Sequence, residues 1–165
     1  MVTLEPRTAA HAEALYALLA DPAVCEFLDD EPPVSVEVLR VRLARSETRR
    51  SPDGKEHWLN WIVRDGAGRM AGYVQGTVAE NLETNVAYVM GTAFRGRGLA
   101  TAAVAQMLRI LVADFGVTRF FIVADRRNRP SIRLAERLGF AAASPELTRR
   151  KGVEATDLLM QRVEA

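Results

Sequence analysis

Cysteine is almost missing from this chain: 165 residues hold one, Cys25. A lone thiol closes no internal disulfide and builds no thiolate metal cluster, so no metal is expected and a reducing cytoplasm is the simplest home. Cys25 itself reads as a half-buried small hydrophobe. No apolar run approaches the roughly 18–20 residues of a membrane-spanning helix. The first residues, Met-Val-Thr-Leu-Glu-Pro-Arg, lack the basic region and apolar core of an export signal. An excess of one charge is missing too. The 22 Lys and Arg against 21 Asp and Glu leave a formal +1, which gives no global attraction to nucleic acid or a membrane surface. No repeat, low-complexity tract or linker divides the chain. What remains is an ordinary globular balance in a length that suits one domain, 1–165, with a core of its own.

The most informative stretch runs from residue 85 to 113. Val86 to Met90 reads as a buried strand ending at Gly91, and Arg95-Gly-Arg-Gly98 leads from it into a strong helical pattern. A strand, a glycine-rich turn and a helix N-terminus make an anion cradle, because the first helical N–H groups have no partners inside the helix. Gly96 and Gly98 let the backbone approach an anion closely, and Arg95 and Arg97 add charge and directed donors. The expected ligand is a cofactor bearing a pyrophosphate.

Around this stretch the pattern gives a first strand at Val2–Glu5 and a helix over Ala9–Ala20, broken by Asp21-Pro22. An acidic loop or lid follows at 25–34, then a second helix opened by Ser35 that carries Arg40, Arg42, Arg45, Arg49 and Arg50. Strands at His57–Arg64 and Met70–Glu80 flank a turn at Asp65–Arg69. After the central strand and its helix (about Gly98–Phe115) come a strand at Thr118–Ala124 and a helix opened by Asn128. The last strands, Phe140–Ala143 and Ala155–Val163, are joined by a polar loop with Arg149, Arg150 and Lys151. The expected class is α+β: a mixed, mostly antiparallel sheet of about seven strands flanked by about four helices.

Arg95-Gly-Arg-Gly-Leu-Ala100 resembles the Gln/Arg-x-x-Gly-x-Gly/Ala signature of the GNAT superfamily of acyl-CoA-dependent N-acyltransferases, at the place where that family has it. Asn128-x-x-Ser-Ile-Arg-Leu-Ala-Glu-x-Leu-Gly-Phe140 is similar to the branch that holds the ribosomal-protein N-terminal acetyltransferases RimJ and RimL. The resemblance implies acetyl-CoA as donor and a primary amine as acceptor, either a peptide N-terminus or a small amine. Dimers are common in that branch. It also implies a gap beside the strand ending at Met90. There the backbone of Tyr88, Val89 and Met90 holds the pantetheine, and Arg95 through Thr101 (with Leu99 and Ala100) hold the pyrophosphate.

Direct attack of an amine on a thioester needs no Ser/His/Asp nucleophile, since orienting two substrates supplies much of the rate. For the leaving thiolate, many members have a tyrosine where this chain has Ala135; the branch resemblance points instead to Ser131, which could equally cap or pack its helix. Asn128 has the same two readings, pantetheine contact or helix cap. The branch's strand glutamate is replaced here by Asn85, which leaves Glu80 and Glu83 as candidate bases acting through water, or as plain turn carboxylates. His57, beside Trp58, is a further base candidate or a structural residue, and Trp58 and Trp61 read as strand-face packing. Arg126, Arg127 and Arg129 either meet the 3′-phosphate of CoA or lie in water. Asp29-Asp30-Glu31 suits a cationic acceptor or is a solvated loop. With the tyrosine and the strand glutamate both missing, a non-catalytic acyl-CoA-binding module is the alternative to an enzyme.

Overall fold

The computed structural model describes all 165 residues. Its sheet contains β1 (Thr3–Pro6), β2 (His57–Arg64), β3 (Met70–Val78), β4 (Glu83–Met90), β5 (Arg119–Asp125), β6 (Ala141–Ala142) and β7 (Asp157–Val163). Their spatial order is β1-β2-β3-β4-β5-β7-β6. Every neighbouring pair is antiparallel except β4 and β5, which run parallel. The helices are α1 (Ala12–Leu19), α2 (Pro22–Cys25), α3 (Val36–Ser46), α4 (Leu99–Phe115), α5 (Arg129–Arg137) and α6 (Pro145–Arg150).

Local chemistry accounts for the element ends. Asp65 closes the β2–β3 hairpin by accepting from the N–H groups of Ala67 and Arg69. Ser35 and Asn128 cap α3 and α5 through their side-chain oxygens. Helix α4 is bounded by two glycines in left-handed conformation, Gly98 at φ 74° and Gly116 at φ 67°.

The helices cover both faces. On one, Met107, Leu108 and Leu111 of α4 and Leu134 and Ala135 of α5 join Val63, Val74, Val86 and Phe120 from the sheet in the main core. On the other, Leu15 of α1 and Leu39 and Leu43 of α3 pack on Ile62, with Tyr73 alongside. Helix α6 lays Leu147 on Phe121 and Leu159.

Six helices stand where about four were expected. The polar loop expected between Ala143 and Ala155 contains α6, because Ser144 caps it at Leu147 N–H and Pro145 supplies a first-turn residue that needs no donor. Likewise Asp21-Pro22 does break the first helix but also opens α2, with Asp21 as cap. Helix α3 stops at Ser46, leaving Arg49 at φ 58° and Arg50 bridged to His57. Strand β4 begins at Glu83, three residues before the apolar run that marked it.

One irregularity positions everything that follows. Strands β4 and β5 pair only over Glu83↔Arg119, Thr84↔Phe120 and Asn85↔Phe121. Beyond Asn85, β4 continues with β3 alone to Met90, while β5 continues with β7 to Asp125. The sheet therefore opens along the last five residues of β4.

Candidate active site

The opening leads into a cleft of about 1440 Å3 that runs from α1, α2 and the acidic loop past the end of β4 to the start of α4 and α5. Pockets for a single drug-sized ligand measure roughly 300–1,000 Å3, so the cleft has room for two reactants.

At one end lies the glycine turn. Gly96 and Gly98 have φ near +70°, and a Cβ on either would meet no atom within 4 Å, so their backbone is open to a ligand. Ala102 N–H donates to Gly98 as the first bond of α4; the N–H groups of residues 96 to 101 have no acceptor within the protein. Six uncommitted donors at a helix N-terminus fit a pyrophosphate. Thr101 and Arg137 line the same end, with Arg137 Nη2 3.5 Å from Thr101 Oγ1. Arg137 was not singled out in the sequence. Its signal is positional: it lies two turns after Asn128, on the helix beside the start of α4.

The two arginines of the turn are placed differently. Arg95 lines the cleft, but its guanidinium donates to the carbonyls of Met90 (3.3 Å) and Ala23 (3.0 Å), tying the end of β4 to α2. Arg97 lies over the Phe94 ring, 3.9 Å from Asp65, outside the cleft lining. The downstream basic cluster divides as well. Arg126 donates to Ala155 O at 3.0 Å, and Arg127 grips Asp125 through both carboxylate oxygens. Arg127 holds the Asp125 carboxyl at about 2, so Asp125 is no proton acceptor at neutral pH. Arg129 is exposed and makes no side-chain bond.

Tyr88, Val89 and Met90 all line the cleft. Tyr88 does more than offer backbone. Its phenol oxygen is 2.6 Å from Ser131 Oγ and 2.9 Å from Ser131 O, joining the open end of β4 to the first turn of α5. Burial pushes the phenol pKa upward, with Ser131 and Arg137 pulling the other way, so it stays protonated in neutral solution. A tyrosine is thus brought to Ser131 from another element, although Ala135 stands where a helical one was sought. Asn128 Oδ1 accepts from Ser131 N–H at 3.3 Å, which makes it a cap that also lines the cleft.

Glu80 and Glu83 are not brought to this cleft. Glu83 begins β4, about 23 Å along the strand from Met90 at the usual rise of ~3.3 Å per residue. Lys151 at 2.7 Å and Arg119 at 3.6 Å hold it, and the Lys151 bond leads in keeping its carboxyl below the ordinary range. Glu80 is exposed in the turn before it. His57 sits edge-on to Phe115, and burial, then Arg50 and Arg49, lower its pKa. It is also outside the cleft lining, whereas Asp29, Asp30, Glu31 and half-buried Cys25 belong to it. No group of three His, Cys, Asp or Glu side chains is placed to hold a metal ion.

A family model described as an acetyltransferase (GNAT) domain matches residues 1–141. The chain belongs to the GNAT acetyltransferase family. Its enzyme class is therefore acetyl-CoA-dependent N-acetyltransferase, and the cleft fits that cosubstrate at the glycine turn. No curated protein matches the sequence. Among solved structures, the GNAT fold here is similar to spermidine N-acetyltransferase from Vibrio cholerae in complex with CoA and spermine. That likeness has TM-score 0.79 at 15% identity, over 98% of this chain and 95% of that one. RimL, a ribosomal alpha-N-protein acetyltransferase in complex with coenzyme A, gives TM-score 0.80 at 19% identity, over 98% and 93%. An aminoglycoside acetyltransferase, AAC(6')-Ib, with coenzyme A gives 0.76 at 18%, over 99% and 95%. At such identities the likeness is one of fold. No helix is long and apolar enough to cross a membrane.

Proposed function

We propose that this acetyltransferase moves the acetyl group of acetyl-CoA directly to a primary amine while both substrates are bound. The observation that carries the proposal is the Tyr88–Ser131 contact of 2.6 Å beside the open end of β4, in a cleft whose other end offers six uncommitted N–H donors. The pantetheine takes the place of the missing β5 ladder beside Val86–Met90. A backbone N–H near Met90 donates to the thioester oxygen as it becomes an oxyanion. The amine nitrogen attacks the carbonyl carbon, the carbon–sulfur bond breaks, and the thiolate takes a proton from Ser131 Oγ, which takes one from the Tyr88 phenol. A thiol of pKa ~8.5 leaves with little assistance, so a weakly acidic hydroxyl pair suffices. With Glu80 and Glu83 distant, the attacking amine gives up its proton to water in the cleft, and solvent restores the tyrosine.

The RimJ/RimL-like motif on α5 supports a peptide N-terminus among the acceptors; the spermidine and aminoglycoside enzymes of like fold support small amines. Free-CoA release measured over an amine panel, with products located by mass spectrometry, tests the proposal. Amine-stimulated release and an N-acetylated product are expected. Tight acetyl-CoA binding with no stimulation by any amine, and no change in Ser131→Ala, would instead establish a non-catalytic acyl-CoA-binding module.

A further inference from the structure

The acceptor end of the cleft holds a cation that the reaction does not use. Arg7 follows β1, and its N–H bonds to Asn60 O at 3.0 Å, which sets it beside the cross-strand row Asn60–Gln75–Ala87. Its side chain turns over β3, with the guanidinium carbon 5.6 Å from the centre of the Tyr73 ring, and both residues line the cleft with Gln75. Nε of Arg7 is sealed from solvent and has no acceptor, and no hydrogen bond or ion pair reaches any other nitrogen of the group. Arg49, over the Trp61 ring and outside the cleft lining, has the same sealed and unpartnered Nε, whereas two other arginines are matched. Arg64 is 2.6 Å from Glu5 and Arg69 is 2.7 Å from Asp65. The Tyr73 ring face compensates part of the charge, but a half-buried guanidinium fork without an anion is a costly arrangement that a bound carboxylate relieves. A second arginine without a partner, exposed Arg42 of α3, lines the same end.

The opposite charge is at the mouth. Asp29, Asp30 and Glu31 are exposed and also without ion pairs, so water satisfies them. A polyamine would match the mouth and then meet Arg7 as a like charge. A zwitterion matches both. Tyr73 pairs with Val89, so Arg7 stands one strand away from the reacting edge of β4. With strands ~4.8 Å apart, the separation from guanidinium to thioester is on the order of 10 Å.

We infer that the acceptor is a small primary amine bearing a carboxylate several bonds from its nitrogen, and that Arg7, backed by Tyr73, is the residue that binds that carboxylate. The inference rests on the acetyl-transfer reading above and narrows its substrate class. The test is steady-state acetylation of glutamate and of ω-amino carboxylates of increasing length, each beside its carboxamide, with spermidine as the contrasting acceptor. The wild type is expected to favour acids over their amides by about 10–100-fold in kcat/KM, the range of a charge-assisted bidentate pair. Arg7→Gln should bring that ratio near unity and Arg7→Lys should keep part of it, both with the KM for acetyl-CoA unchanged. Equal or better use of carboxamides or spermidine by the wild type overturns the carboxylate subsite and leaves acetyl transfer standing; this arm needs no folded variant. An acid preference that survives Arg7→Gln overturns the role of Arg7. No stimulation by any acceptor, with acetyl-CoA bound, overturns both readings.

Discussion

The two ends of β4 share a strand and differ in what lies beside them. From Glu83 to Asn85 the backbone has β3 on one side and β5 on the other, and the Glu83 side chain is clamped by Lys151 and Arg119. From Val86 to Met90 the β5 side is open, and Tyr88 reaches across to Ser131 instead. An ordinary ladder leaves no backbone group for a ligand; a ladder that stops early presents a row of them next to whatever side chains the parting elements carry. The Tyr88–Ser131 contact sits at the open end, and the clamped Glu83 carboxylate sits at the closed one.

The largest effect is expected at the glycine turn. Gly98→Val puts a β-branched residue at φ 74° with its side chain over the free donors, and acetyl-CoA affinity should fall about 100-fold by calorimetry. Gly116→Val has φ 67° at the other end of the same helix and should lower stability without changing affinity. Equal loss of affinity in both would show that only α4 stability had been measured. Next, Ser131→Ala should lower kcat about 10–100-fold and Tyr88→Phe about tenfold, with acetyl-CoA binding intact. If the two hydroxyls act in series, the double variant is no worse than Ser131→Ala; additive losses would mean independent roles.

At the closed end, Glu83→Gln should leave kcat within about twofold and cost under ~1 kcal/mol of stability, the range of a partly exposed ion pair. The folded-state pKa of Glu83 is depressed, so its stabilisation is present above the unfolded carboxyl pKa of roughly 4.3 and is lost as pH falls through the folded value. The gap in thermal midpoint between wild type and variant should therefore close at acid pH. A large kcat loss in Glu83→Gln would place the base at the closed end after all. The smallest effect concerns alkali: with the Tyr88 phenol pushed up by burial, kcat should not decline before about pH 10.

Sequence patterning carried most of the fold, because β2, β3, β5 and α4 have strong apolar periods and clear stops at Asp65, Gly98 and Gly116. Helix α6 was hidden since six residues with one buried side chain, Leu147, have too short a period to stand out; only Ser144-Pro145 marked it. The anion cradle could be read because it is local, a strand, a turn and a helix consecutive in the chain. The Tyr88–Ser131 contact spans 43 positions, and the Arg7–Tyr73 stack joins β1 to β3 across β2; both depend on strand order and on which face each side chain takes. The position of Glu83 depends on the same things: a candidate base for its nearness to Asn85, it lies at the clamped start of β4, outside the cleft lining.

Residue-resolved amide hydrogen exchange by NMR, with and without acetyl-CoA, tests the open-ended strand most directly. New protection is expected at the β5-facing amides of Val86–Met90 and at residues 96 to 101, with Glu83–Asn85 unchanged because those groups already have partners. Unchanged exchange at both predicted segments on saturation with acetyl-CoA, or protection confined to another part of the chain, would contradict the placement of the cofactor and of the chemistry built on it.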